Sequence, residues 1–149
     1  MNKLRKQFSA LEAEMNEVLV ERQDEIRLAM AGMLTGNHLF LLGPPGTAKS
    51  LLCDALVNRI GDGEVYKHLI TKTTTDDEIF GPISLSAMAK DISRRATEVT
   101  DDETGMKHCY LPSSNIFFLD EIFKGSSVLL NNLLNILNEG IYANGAQVM

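Results

Sequence analysis

Two short stretches of this sequence hold residue types that chemistry needs, at spacings it can use. Gly43-Pro-Pro-Gly-Thr-Ala-Lys-Ser50 sets two glycines, a lysine and a hydroxyl between an apolar run and a helical pattern. Gly43 and Gly46 let the backbone curl so that successive N–H groups face one centre. A helix beginning near Lys49 aims its positive dipole end at that centre, and Lys49 adds a cation suited to β and γ phosphates. Ser50 is then placed to ligate Mg²⁺. The strict phosphate-loop pattern has glycine directly before the lysine, whereas position 48 is alanine; the physics survives that change. A proline-glycine turn ahead of a helix would need neither the lysine nor the hydroxyl.

The second stretch is Ile116-Phe-Phe-Leu-Asp-Glu121. A carboxylate pair at the end of a buried strand is costly unless a cation or a water network meets it. Phosphoryl transfer supplies that partner, with Asp120 holding Mg²⁺ through water and Glu121 orienting and deprotonating the attacking water. Alone, an apolar run ending in Asp-Glu is a weak motif; about 70 residues after a phosphate loop it becomes specific. The other ionisable residues contribute little. His38, His68 and His108 share no spacing and read as structural. Ser113 and Ser114 have no histidine base, which removes a nucleophile reading. Arg94-Arg95 reads as part of a solvated hairpin, and Lys124 as a surface residue.

The elements around these stretches follow from hydrophobic periodicity. Residues 1–36 carry a helical period through Leu4, Phe8, Leu11, Met15, Val18 and Leu19, then Ile26, Met30, Met33 and Leu34, with Gly36 as its C-cap. The stripe is core packing, and its methionines are gap fillers. The polar run Glu21 to Asp24 splits it into two helices. His38 to Leu42 is expected as a fully buried parallel strand, followed by a helix over 48–60 ending at Gly61 and a second strand over Val65 to Lys72. Thr75-Asp-Asp-Glu78 starts a helix with an N-cap hydroxyl and acidic residues on its first turn. Residues 81–110 are an excursion from the core, with a solvated hairpin expected there. Asn115 to Glu121 is a third buried strand, and Ser126 or Ser127 caps a helix carrying Leu129, Leu130, Leu133, Leu134 and Leu137. Asn144-Gly145 signals a type I′ hairpin.

Composition bounds the class. The 149 residues are 44% apolar and 23% charged, with net charge −6, no run of 18 apolar residues and no leader, so one soluble globular domain is expected. No basic stripe tracks a nucleic-acid backbone. Cys53 and Cys109 lack zinc spacing and read as free thiols in a reducing cytoplasm.

At these residues the chain resembles the N-terminal part of an AAA+ ATPase, within it the MoxR family, and there the RavA-like branch. The match rests on Glu21-Arg-Gln-Asp-Glu-Ile-Arg-Leu28, Phe40 to Ser50, Glu78-Ile-Phe-Gly-Pro82, and Leu111 to Lys124 continuing to Leu-Asn-Glu139. Alanine before the lysine is usual in that family. The resemblance implies a three-layer α/β/α P-loop NTPase fold with a parallel sheet, and Mg²⁺-dependent ATP hydrolysis coupled to remodelling or maturing a client protein. It implies a homo-hexamer in the full-length form and a partner with a von Willebrand factor A domain. Gly43, Pro44, Pro45, Gly46, Thr47, Ala48, Lys49, Ser50 and Leu51 would hold ATP; Ser50 and Asp120 would hold Mg²⁺; Lys49 and Glu121 would be catalytic. The segment around Val20, Glu21 and Ile26 resembles the stretch that lines the base. No Asn-Lys-x-Asp is present, which disfavours guanine. Asp102-Glu-Thr-Gly105 matches a GTPase switch by letters only.

The resemblance divides one AAA+ domain into helices over 1–36, strand, loop, helix and strand over 37–80, an insert over 81–110 containing the family's helix-2 insert, and the Asp-Glu strand, helix and pre-sensor hairpin over 111–149. The family sheet runs 5-1-4-3-2, and only its first three strands have candidates here. The sequence therefore reads as a fold truncated after the Asp-Glu strand, its helix and a hairpin, without a first sensor, an arginine finger or a helical lid. The rival function is a truncated nucleotide-binding or interaction module without useful turnover. A DNA-remodelling motor is disfavoured by the −6 charge, and a cytoplasmic location by the absence of a targeting signal is the remaining expectation.

Overall fold

A computed structural model describes residues 2–44, 46–59, 63–90, 92–100, 103–145 and 147–148. The chain forms two compact units, residues 1–61 and 62–149.

The first unit holds α1 (Asn2–Val18), α2 (Gln23–Thr35) and α3 (Lys49–Val57). The long helical period breaks at 19–22, where Glu21 takes a left-handed backbone with φ 58°. Asp24 and Glu25 then sit on the first turn of α2, where carboxylates oppose the positive end of the helix dipole. Gly36 closes α2 as expected. Its φ is 66°, its own N–H donates to the Met33 carbonyl at 3.4 Å, and the Asn37 N–H donates to the Gly32 carbonyl at 2.9 Å. This double closure satisfies carbonyls that the last turn would otherwise leave open. Met15, Leu19, Ile26, Ala29 and Met30 pack with Leu52, Ala55 and Leu56 of α3, so Met15 and Met30 are core, whereas Val18, Met33 and Leu34 of the same expected stripe are exposed. Gly61 lies outside the described residues.

His38 to Leu42 departs from expectation: it forms no strand. Leu41 packs on the core, while Phe40 and Leu42 are exposed, Leu42 at 84%. An extended apolar run becomes a strand only when a ladder partner takes its N–H and C=O groups, and it has no ladder partner among the described residues.

The second unit runs β1 (Val65–Leu69), α4 (Asp76–Phe80), α5 (Leu85–Met88), β2 (Glu98–Thr100), β3 (Lys107–Cys109), β4 (Ile116–Asp120), α6 (Ser127–Glu139), β5 (Ala143–Asn144) and β6 (Gln147–Val148). β1 and β4 pair in parallel from Val65↔Ile116 to Leu69↔Asp120. These are the expected second and third strands, adjacent as the order 5-1-4-3-2 requires. β1 stops at Leu69, because the Thr71 N–H is taken by the Thr74 hydroxyl at 2.9 Å and the chain turns. α4 begins as expected at Thr75, whose N–H and hydroxyl both donate to the Glu78 carboxylate at 3.1 and 2.9 Å. Ser126 caps α6, its hydroxyl accepting the Leu129 N–H at 3.2 Å. Ile70, Ile79, Phe80, Leu111, Leu129 and Leu133 form this unit's core.

Residues 81–110 hold α5 and the antiparallel hairpin of β2 and β3, whose side chains are mostly exposed. β4 is half-buried along its length instead of fully buried, since β1 alone covers an edge of it among the described residues. The C-terminal hairpin also differs from the Asn-Gly reading. Asn144 is a ladder residue opposite Gln147 and not a turn residue, and Gly145 after it has φ 64°; Ala146 lies outside the described residues. Asn144 is instead buried, its amide taking the Arg95 N–H at 2.6 Å and donating to the Arg95 carbonyl at 3.0 Å. Gly145 permits that contact: a Cβ there would lie 2.1 Å from the Ser93 carbonyl oxygen.

Candidate functional site

The loop 43–50 wraps the N-terminal end of α3. Gly46 has φ 80° and Ala48, the residue before the helix, φ 60°. The left-handed backbone at 48 explains why the strict pattern places glycine there; alanine accepts it at a cost of about 1–2 kcal/mol. The N–H groups of Lys49, Ser50 and Leu51 belong to the first helical turn and point out of its N-terminal end, the arrangement that binds anions. Leu51 thus acts through its backbone, its side chain being half exposed. The Lys49 ammonium lies over the loop, donating to the carbonyls of Gly43 at 2.9 Å and Pro44 at 2.8 Å and to the Thr47 hydroxyl at 3.2 Å. The Thr47 hydroxyl in turn donates to the Pro44 carbonyl at 2.9 Å. The cation is therefore already parked on the loop, where phosphate oxygens could replace neutral carbonyls as its acceptors. Pro45 lies outside the described residues.

A cleft of about 180 Å³ opens beside this loop. Leu41, Leu42 and Leu52 give it apolar walls, and Arg22 and Glu25 give it a charged rim, with Arg22 Nη1 3.8 Å from Glu25 Oε1. Of the residues expected to line a base, Ile26 is fully buried in the core, and neither it nor Val20 nor Glu21 lines the cleft. Arg22 and Glu25, which do line it, fall within the segment around Val20, Glu21 and Ile26 that resembles the base-lining stretch. Their signal is a helix start at Gln23, which sets residues 22 and 25 three apart on one face; the boundary was legible only to within a few residues.

Asp120 and Glu121 lie in the second unit, at the C-terminal end of β4. The Asp120 carbonyl accepts the Ile70 N–H at 2.9 Å, which fixes the strand end, and Asp120 Oδ1 accepts the Glu121 N–H at 2.9 Å. Glu121 is left-handed with φ 54°, and its carboxylate pairs with the Lys124 ammonium. Among the described residues, two of the three non-glycine residues with positive φ are thus Ala48 and Glu121, one at each motif. Strained backbone of this kind persists where the surroundings over-determine it, often at functional sites. The Ser50 hydroxyl, in the first unit, and the Asp120 carboxylate, in the second, are each oxygen donors of the kind a hard cation takes. Among the described residues, no group of three or more His, Cys, Asp or Glu could hold a different metal.

His68 stacks on Tyr66 at 6.0 Å, and the Ser113 and Ser114 hydroxyls donate to the carbonyls of Thr97 and Leu111 at 2.5 and 2.8 Å. The Arg95 guanidinium pairs with Asp77 and donates to the Gly81 carbonyl at 2.7 Å. Cys53 and Cys109 are not joined in a disulfide, and burial followed by the nearby Glu64 carboxylate pushes the Cys109 thiol above its ordinary range. No described helix is long and apolar enough to cross a membrane.

The parallel pair, the glycine loop at the head of α3 and the Asp-Glu strand end define a P-loop NTPase fold of the AAA+ class. Residues 4–149 match the family model for the MoxR domain of the MoxR-vWA-beta-propeller ternary systems, and the chain belongs to that family. Two uncharacterised proteins of Methanocaldococcus jannaschii are similar to it. One is 38% identical over 148 residues, covering 99% of this chain and 36% of its own length. The other is 41% identical over 135 residues, covering 91% and 34%. The chain thus spans about a third of the length of these relatives. A crystal structure of a "putative ATPase" from Cytophaga hutchinsonii shares the fold, with a TM-score of 0.69, 20% identity, and coverage of 97% of this chain and 40% of its own.

Proposed function

We propose that this chain carries the nucleotide-binding and water-activating residues of a Mg²⁺-dependent MoxR-type ATPase that remodels or matures a client protein. The observation that carries this reading is the Lys49 ammonium resting on the carbonyls of Gly43 and Pro44 at the head of α3. The backbone around Gly46 and Ala48 wraps the triphosphate, the N–H groups of Lys49, Ser50 and Leu51 bond its oxygens, and Lys49 neutralises charge that grows on them in the transition state. The cleft with Arg22 and Glu25 at its rim receives the nucleoside. The Ser50 hydroxyl and the Asp120 carboxylate would hold Mg²⁺, which would supply positive charge against that of the phosphates. Glu121 orients the attacking water and takes its proton.

The same reading includes assembly into a hexameric ring in the cytoplasm. Support for a von Willebrand factor A partner comes from the family's own description, which joins the MoxR domain to such a protein. The −6 charge fits a protein client better than nucleic acid. An arginine supplied by a neighbouring subunit is worth about 10³–10⁵ in rate in phosphoryl-transfer enzymes, so binding and turnover need separate tests. Glu121→Gln should keep Mg²⁺-dependent ATP binding within about two-fold and lower turnover by about 10²-fold or more. Equal loss of binding and turnover in that variant contradicts the division of roles.

A further inference from the structure

We propose that a second cleft, between residues 83–95 and residues 142–145, binds an acidic side chain of a client polypeptide, with that side chain's apolar neighbours resting on Ile83, Tyr142 and the exposed face of α5. The inference rests on the reading of a protein client and adds the chemistry of the segment that is held. The cleft measures about 260 Å³ and is built wholly within the second unit. Arg94 lines it beside Ile83, Tyr142, Asn144 and Gly145. None of these residues has a part in the phosphate chemistry.

Its walls are tied together by the chain's own bonds. The Ser84 N–H donates to the Arg94 carbonyl at 2.9 Å and the Ala96 N–H to the Pro82 carbonyl at 2.8 Å, and an antiparallel bridge joins Ile83 to Arg95. The Asn144 amide holds both backbone groups of Arg95, and Gly145 lies against the Ser93 carbonyl, where a Cβ would be 2.1 Å away. The Tyr142 ring stacks on Phe80 with centroids 5.2 Å apart. A cleft tied in this way loses little conformational freedom on binding, so its contacts appear as affinity.

The lining decides which ligand fits. Arg95 gives its guanidinium to Asp77 and to the Gly81 carbonyl. Arg94 is exposed, and a guanidinium fork takes a carboxylate through two parallel N–H bonds. Residues 82–96 hold three basic residues and one acidic, in a chain with 14 and 20. A locally positive patch on an acidic protein selects an acidic partner. Charge alone does not fill the surface, because Ile83 is half exposed and Leu85 and Met88 of α5 are exposed at 80% and 54%, while Ala87 is buried. Exposed apolar side chains grouped beside a polar cleft mark a protein contact. A nucleic-acid backbone needs several cations in a row, and the lining is mostly uncharged.

The test selects for sequence in the absence of nucleotide. A random heptapeptide library displayed on phage is panned on the immobilised 149-residue chain and, in parallel, on Arg94→Glu and Arg5→Glu. The second variant makes the same charge change on α1, outside the cleft lining. Wild type and Arg5→Glu should both enrich peptides in which Asp or Glu adjoins Leu, Ile or Phe. Arg94→Glu should lose them and enrich Lys or Arg in place of the acid. The most enriched acidic peptide, labelled with fluorescein, should bind Arg94→Ala about five-fold more weakly by fluorescence anisotropy, the size of a partly exposed ion pair, with the circular dichroism spectrum unchanged. No enrichment on wild type, enrichment indifferent to acidic residues, or equal loss in Arg94→Glu and Arg5→Glu overturns the inference. Displacement of the labelled peptide by oligothymidylate as readily as by unlabelled peptide assigns the cleft to a phosphate backbone and overturns it too. No readout involves ATP, so a chain that fails this selection can still bind nucleotide, and one that binds no nucleotide can still pass it.

Discussion

Replacing Gly46 by alanine isolates the backbone contribution of the phosphate loop. Gly46 has φ 80°, and a Cβ built there meets nothing within 4 Å. The cost is therefore conformational, about 1–2 kcal/mol for an L-residue held in the left-handed region. The loop around Gly46 carries few core contacts, so it can leave that conformation at little expense to the rest of the unit. The cost then falls on the fraction of molecules with a competent loop, and apparent affinity drops by the same factor. At 1.4 kcal/mol per ten-fold, Mg·ATP should bind about 5- to 30-fold more weakly. Gly36→Ala is the control. It also has positive φ, 66°, and open space, but it closes α2 and lies outside the cleft. It should lower the melting temperature and leave affinity unchanged. Titration with a fluorescent ATP analogue, beside thermal melts of both variants, measures the contrast. Wild-type affinity in Gly46→Ala, or equal weakening by Gly36→Ala, refutes the reasoning.

Two further outcomes test the second unit. Burial, then the nearby Glu78 charge, raises the Tyr66 phenol above its ordinary value of 10.0, and its hydroxyl donates to the Glu78 carbonyl at 2.7 Å. The folded chain therefore keeps this proton to higher pH than the unfolded chain, so the stability it contributes is present below about pH 10 and is lost as pH climbs toward the folded value. Tyr66→Phe should flatten the fall in melting temperature above pH 10; an unchanged alkaline slope contradicts this. Asn144→Ala strips both backbone groups of Arg95 of their partner, at about 1–3 kcal/mol for each group left unsatisfied. Urea denaturation should register at least about 1 kcal/mol, and a loss under about 0.5 kcal/mol would show that water replaces the amide freely.

The site was more legible in the sequence than the sheet was. Phosphate chemistry fixes residue types at fixed spacing, so Gly43 to Ser50 and Asp120-Glu121 could be picked out before any element was placed. Capping is equally local: Gly36, Thr75 with Glu78, and Ser126 act where their side chains or φ values indicate. The run His38 to Leu42 shows the limit. Its composition records burial in a sheet, while strand structure depends on partners elsewhere in sequence, and no ladder forms among the described residues. Asn144 shows another. An Asn-Gly pair favours a tight turn, but the close approach of Ser93 to Gly145 and the pairing of Asn144 with Arg95 hold Asn144 in the ladder instead.

The central claim is that the loop at the head of α3 binds the triphosphate of ATP with Mg²⁺. Its most direct test is equilibrium binding of a fluorescent ATP analogue to the 149-residue chain, with and without Mg²⁺, beside Lys49→Ala. Binding that strengthens with Mg²⁺ and is lost in Lys49→Ala, with the variant still folded by circular dichroism, is the predicted result. A folded wild-type chain that binds no nucleotide, or a Lys49→Ala variant that binds as tightly as wild type, contradicts it.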